Sequence, residues 1–177
     1  SDVCSSDLSN EAHAIEGFRQ INEEQNKKLQ NCVSNYVEKS QSRKVLELFC
    51  GNGNLTFAYQ AQVENIFAVD GNQSAIDQAK RKRERIGADS LKASTAFICD
   101  MVNRSTYRKL PSEFKGQYDT LIVDPPRSGL AGALNSLIHQ ELKQIIYVSC
   151  SVQSFAQDVQ CLKNRFLFEE IQPINRK

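Results

Sequence analysis

The chain has 177 residues, 40% apolar and 24% charged, which suits one domain with a buried core and leaves too little for two. Its 22 Lys and Arg against 21 Asp and Glu leave a net charge of +1, so an RNA partner would need a local basic patch or a basic domain elsewhere. No apolar run is long enough to span a bilayer, no signal peptide is evident, and the six cysteines form no CxxC pair, which argues against a metal site or a disulfide framework and for a reducing compartment, the cytoplasm.

Residues 1–8 carry no periodic pattern and are set apart as a non-native or disordered leader. Residues 9–42 are expected to form an N-terminal helical segment. Its helix is predicted to start at Asn22, a good cap residue, with Gln25 at the capping-box position. Leu29, Cys32, Val33, Tyr36 and Val37 then recur at helical spacing as one apolar stripe. Residues 40–42 are a polar break, and the main domain is expected over 43–177.

Short apolar runs follow at 45–49, 66–69, 96–99, 121–123 and 145–148, most of them apolar throughout, as expected of strands buried on both faces. Between them, helical patterns cover 55–61, 73–86, 130–139 and 152–164, and 166–171 reads as a further strand. This alternation predicts an α/β, Rossmann-like fold: a mostly parallel sheet with helices on both faces. In such sheets ligands bind outside the carboxyl ends of the strands, so the residues that follow each strand are the informative ones.

The first strand runs into Glu47-Leu48-Phe49-Cys50-Gly51-Asn52-Gly53-Asn54, where Gly51 and Gly53 allow a tight turn and close approach of a ligand. Asp70 ends the second strand and can accept hydrogen bonds from the ribose hydroxyls of a nucleoside cofactor; Asp100, after the third, could meet an adenine amino group. Gly-x-Gly alone is weak evidence and fits any Rossmann-type domain, but a nicotinamide site expects a third glycine at position 56, where this chain has Thr56. The fourth strand leads into Asp124-Pro125-Pro126-Arg127-Ser128-Gly129-Leu130, whose prolines stiffen the loop and hold Asp124 at the sheet edge. Amino methyltransferases often carry an aromatic after Asp-Pro-Pro; Arg127 stands there instead, which speaks against that chemistry. After the fifth strand, Cys150 lies just ahead of a helix, where the helix dipole favours thiolate and so a nucleophile. Cys4, Cys32, Cys99 and Cys161 read as small buried hydrophobes or as having no role, and Cys50 as packing.

Together, Phe18-Arg19-Gln20-Ile21-Asn22, Leu48 to Asn54, Asp124 to Leu130 and Tyr147-Val148-Ser149-Cys150 resemble the RNA 5-methyluridine methyltransferase family, which modifies uridines in ribosomal and transfer RNA. The resemblance covers the chain from about Ile15 onward and implies a class I S-adenosylmethionine-dependent methyltransferase fold. By the family pattern Gln20, Phe49, Asn54, Asp70, Asp100 and Asp124 would contact S-adenosyl-L-methionine, and Cys150 would be the catalytic nucleophile, adding to carbon 6 of uracil to activate carbon 5. Asp70 stands where the family often has glutamate, and Ser151 where Asn-Pro usually follows the cysteine. The implied protein is an RNA (uracil-C5-)-methyltransferase, acting on ribosomal in preference to transfer RNA, monomeric, without membrane or metal in this segment. The chain is expected to be a fragment, lacking the family's N-terminal domains and its base glutamate, placed beyond Lys177, and therefore impaired in turnover. Glu169 and Glu170 are read as ordinary polar positions. An amino methyltransferase acting on nucleic acid and a non-catalytic nucleotide-binding module are the alternatives.

Overall fold

The computed structural model describes residues 6–87, 94–103, 105–130, 132–162, 166, 169–171 and 173, and the side chains among these from residue 23 onward apart from residue 161. The chain opens with helix α1, Ser6–Lys39. Asn22, predicted as its cap, lies inside it: a cap residue starts a helix only if the chain before it leaves helical geometry, and no proline interrupts 6–39. The predicted apolar stripe holds, with Val33 and Val37 buried and Leu29 packed against the same cluster.

Five strands form one sheet: β1 (Lys44–Leu48), β2 (Asn65–Asp70), β3 (Ser94–Cys99), β4 (Thr120–Val123) and β5 (Gln144–Tyr147). Their order is β3-β2-β1-β4-β5, with every neighbouring pair parallel. The chain winds outward from β1 to β3, then returns beside β1 as β4, so the switch point falls between β1 and β4. There Leu48 is in register with Val123. Alternate strand residues serve opposite faces. Leu46, Leu48, Phe67, Val69, Leu121 and Val123 pack with Leu134, Leu137 and Val159. Val45, Ile66, Ala68 and Ile122 pack with Val33, Val37, Tyr59, Ile76 and Ala79. Helices thus cover both faces, and each fully buried aliphatic side chain contributes roughly 1.5–3 kcal/mol.

The remaining helices are α2 (Thr56–Tyr59), α3 (Gln73–Ile86), α4 (Thr106–Lys109), α5 (Leu134–Leu137) and α6 (Val152–Val159). Three expectations need correction. The helix predicted over 130–139 is only α5, because Gly132 adopts φ 75° just before it, left-handed backbone that a helix cannot include. The helix predicted over 55–61 closes as α2 followed by a 3₁₀ turn, Gln60–Gln62. The strand predicted over 166–171 is absent from Phe166, Glu169, Glu170 and Ile171; residues 167 and 168 lie outside the described residues. Glu170 instead accepts a hydrogen bond from the Tyr36 hydroxyl at 2.6 Å, which holds this segment against α1.

Candidate active site

The carboxyl end of β1 runs into a strained turn that leads to α2 and is hydrogen-bonded to the end of β2. Phe49, a non-glycine residue, adopts φ 61°, Gly51 φ 55° and Gly53 φ 81°. The left-handed geometry at Phe49 costs about 1–2 kcal/mol, tolerated where the surroundings over-determine it. Those surroundings are visible: Cys50 N–H donates to Val69 O at 3.2 Å, Gly53 N–H to Cys50 O at 2.9 Å, and Phe57 N–H to Gly53 O at 3.0 Å. At Gly53 the left-handed backbone favours glycine, and a Cβ there would press on the Phe57 ring. At Gly51 a Cβ would meet nothing within 4 Å, leaving open space over the backbone that a ligand can approach.

Asp70, the last residue of β2, borders that space. Its Oδ2 accepts from Gly51 N–H at 2.9 Å and its Oδ1 from Asn72 N–H at 2.7 Å. A carboxylate offers about four lone-pair sites, so acceptor capacity remains for ribose hydroxyls. Asp100, directly after β3, takes Lys109 Nζ at 2.8 Å on both oxygens and Met101 N–H at 2.8 Å. The Lys109 hydrogen bond is the main reason its carboxyl sits below the usual range. Asn54 faces α1. Its side-chain oxygen accepts from Asn26 at 3.0 Å and Gln30 at 2.9 Å, and its amide donates back to Asn26 at 2.7 Å. Asn54 therefore joins the turn to α1. Gln20 lies in α1, but its side chain is outside the described residues.

Beneath the switch point lies an acid that sequence reasoning passed over. Glu47 on β1 is buried, its Oε2 accepting from Thr56 Oγ1 at 2.7 Å and Tyr59 hydroxyl at 2.5 Å, while its Oε1 has no hydrogen-bond partner. Burial, opposed by those two hydrogen bonds, pushes its carboxyl up to about 7. A glutamate inside an otherwise apolar strand run was the available signal. Asp124 follows β4, its N–H donating to Leu48 O at 3.3 Å. The residue reaches solvent, yet the packed strand ends around its carboxyl desolvate it and raise its pKa.

On the far side of the switch point, Gly129 N–H closes a turn onto Pro126 O at 2.8 Å, Pro125 is buried, and Arg127 and Ser128 are exposed. Cys150 is exposed, three residues beyond β5 and just before Ser151, which caps α6 by accepting from Ser154 N–H at 3.4 Å. Val148 N–H donates to Val123 O at 2.8 Å, so the segment leading to Cys150 leaves the sheet beside Asp124. Cys50, by contrast, is buried and its thiol pushed well up by desolvation, a packing group as expected; Cys4 and Cys161 lie outside the described side chains.

The structure thus brings Gly51, Gly53, Asn54, Asp70, Asp100, Asp124 and Cys150 to one edge of the sheet. Glu169 is exposed, and Glu170 is not there. Its partner Tyr36 lies one turn from the end of α1, and Ser42, just after α1, is hydrogen-bonded to Thr120 at the opposite, amino end of β4. Among the described residues no group of three His, Cys, Asp or Glu is placed to hold a metal ion, and no helix is long and apolar enough to cross a membrane.

A family model described as tRNA (uracil-5-)-methyltransferase matches residues 9–172. The chain is 29% identical over 148 residues to a 23S rRNA (uracil(1939)-C(5))-methyltransferase of Histophilus somni, the match covering 84% of this chain and 32% of that protein. It is 33% identical over 149 residues to a protein of the same description from Stenotrophomonas maltophilia, covering 83% of this chain and 32% of that one. The crystal structure of Pyrococcus abyssi tRNA (uracil-54, C5)-methyltransferase in complex with S-adenosyl-L-homocysteine is similar with a TM-score of 0.59 at 28% identity, over 78% of this chain and 32% of that one. A SAM-dependent methyltransferase from Agrobacterium tumefaciens, at 21% identity and a TM-score of 0.58 over 78% of this chain and 50% of that one, shares the fold. The chain spans about a third of the length of the curated relatives it matches.

Proposed function

Because the chain belongs to the tRNA (uracil-5-)-methyltransferase family, we propose that it is the S-adenosylmethionine-binding, catalytic part of an enzyme that methylates carbon 5 of a uridine in RNA, with Cys150 as nucleophile. What supports this reading is an exposed thiol three residues beyond β5, whose neighbour strand β4 leads into Asp124, on the same carboxyl edge as the open turn over Gly51. The cofactor supplies an electrophilic methyl group. Gly51 gives its backbone approach, Gly53 lets the turn pack on Phe57, and Asp70 and Asp100 offer acceptors to a ribose and an adenine amino group. Met101 N–H and Lys109 already hold Asp100, so an adenine would share or displace Lys109 there.

Carbon 5 of uracil is a weak nucleophile. The Cys150 thiolate adds to carbon 6, forming a C–S bond and moving the displaced electron pair into an enolate that makes carbon 5 nucleophilic. Carbon 5 would take the methyl group as the methyl–sulfonium bond breaks and S-adenosylhomocysteine leaves with that electron pair; a base then removes the proton still on carbon 5, and the returning electron pair breaks the C–S bond to Cys150 and releases the thiolate. Reaching carbon 6 requires the uridine to leave its stack. The 23S rRNA description of the relatives from Histophilus somni and Stenotrophomonas maltophilia supports ribosomal RNA as the target.

The test is incubation of the chain with radiolabelled S-adenosylmethionine and a uridine-containing RNA, followed by a denaturing gel. Label migrating with protein plus RNA, and lost in Cys150→Ala, is the expected result. Methyl transfer to carbon 5 that persists undiminished in Cys150→Ala removes the thiol from the mechanism.

A further inference from the structure

Two segments of the site, the turn after β4 and the segment from β5 to Cys150, meet a single buried group. Asp158 lies near the end of α6 and is buried. Its Oδ2 accepts from Leu130 N–H at 2.7 Å and from the Tyr147 hydroxyl at 2.6 Å. Leu130 closes the segment that carries Asp124 and Arg127, whereas Tyr147 ends β5 three residues before Cys150. One oxygen atom therefore ties the 124–130 turn, the strand leading to the thiol and the helix that follows the thiol.

Packing leaves this junction no slack. A Cβ at Gly129 would clash with the same Oδ2 and lie 3.1 Å from Ser154 Cβ, so the turn rests directly on α6. Gly129 holds φ 72°, which lets its backbone come this close. The Tyr147 ring stands edge-on against Phe155 at 5.1 Å, which fixes its hydroxyl toward Asp158. Burial and the hydrogen bond to Asp158 push the Tyr147 hydroxyl far up, so it remains a donor.

We infer that Asp158 is a positioning residue: through Tyr147 and Leu130 it holds the Cys150 segment at a set distance from the Asp124–Arg127 loop, and so sets the approach of the thiol to carbon 6 of the base. This rests on the nucleophile reading of Cys150. Leu130 and Tyr147 belong to the β4 and β5 segments, whereas Asp70 holds the Gly51 turn, so the effect of Asp158 falls on the rate of attack and spares cofactor binding.

The experiment uses the whole 177-residue chain, S-adenosylmethionine and a short RNA carrying 5-fluorouridine, whose carbon 5 has no proton to lose, so that the cysteine adduct accumulates. Adduct formation is timed on denaturing gels while RNA is raised to saturation, and cofactor affinity is measured by calorimetry. Wild type is compared with Tyr147→Phe, Asp158→Asn and the double variant. Tyr147→Phe keeps the ring and its packing, so it reports even if Asp158→Asn folds poorly. The saturating rate should fall about tenfold in Tyr147→Phe, since small misplacements of a reacting group carry losses of that order, while the cofactor dissociation constant stays within about twofold. The double variant should be no slower than the slower single one, because both act through one contact. Equal saturating rates in wild type and variants overturn the positioning role and leave the thiol mechanism standing. A parallel fall in cofactor affinity also overturns it, making Asp158 a support of the whole fold. No adduct from wild type at saturating cofactor and RNA removes the nucleophile reading, and the positioning role with it.

Discussion

On the β1–β2–β3 side of the carboxyl edge, the acids are hydrogen-bonded at the rim itself: Asp70 to two backbone N–H groups, Asp100 to Lys109 and Met101 N–H. On the β4–β5 side, Arg127 and Cys150 are exposed, and the bracing lies underneath, in Asp158, Gly129 and Tyr147. On the proposed function the difference matches two tasks, cofactor binding in the first half and entry of the RNA base in the second. A half that binds one small ligand of fixed shape gains from a rim already set, because less ordering is left to binding. A half that admits a base from a large RNA needs an open rim, and precision there has to come from behind the reactive group.

The bracing of the β4–β5 half can be broken most directly at Gly129. Gly129→Ala adds left-handed strain and a contact with a buried carboxylate that cannot swing away without losing its partners. A loss of roughly 2–5 kcal/mol in urea unfolding is expected, from the sum of left-handed strain and overpacking. Unchanged stability would show that the turn does not rest on α6.

Glu47 lies beneath the join of the two halves and titrates against solvent exclusion. Unfolded, it loses its proton near 4.5; folded, it keeps it to about 7. The folded state therefore binds more protons between those values, and stability falls as pH rises through that window and levels off above it. The drop amounts to roughly 3 kcal/mol. Glu47→Gln keeps an acceptor for Tyr59 and Thr56 and should gain about that much on wild type between about pH 5 and pH 8. Parallel unfolding midpoints for both proteins across that range would place the pH dependence elsewhere.

The rim of the β1–β3 half is probed by Asp70→Ala. Loss of a charge-assisted hydrogen bond to a ribose should weaken S-adenosylmethionine by about ten- to a hundredfold, roughly 1.5–3 kcal/mol. Calorimetry showing equal affinity takes Asp70 out of the site.

The smallest effect belongs to Lys109→Met. The Lys109–Asp100 pair is 48% and 33% exposed, so its removal should cost less than about 1 kcal/mol. What it contributes is present at neutral pH and is lost as pH falls through the lowered folded pKa of Asp100. In the variant the Asp100 titration, followed by carboxyl NMR, should move up toward the ordinary carboxylate range. If it stays low, Lys109 is not what holds the rim at β3.

The five strands and α3 could be read from the chain because their signals are local. A run buried on both faces is apolar throughout, and α3 begins at Asn72, whose side chain accepts from Ala75 N–H, and ends at Gly87. The glycine turn, Asp70, Asp100, Asp124 and the cysteine were legible for a related reason: in a parallel sheet every strand end reaches the same edge, so sequence position alone assigns them to one place. Topology did that work before any contact was known. Tertiary structure decided the rest. α1 runs through Asn22 because nothing before it ends the helix, and α5 is short because two turns, at Gly129 and Gly132, take up the chain ahead of it. Asn54 is held by Asn26 and Gln30, Asp100 by Lys109, and Leu130 and Tyr147 by Asp158. Most of these pairs link separate elements, and a hydrogen bond depends on distances of tenths of an ångström that no local pattern encodes. They exist only once the helices have packed onto the sheet.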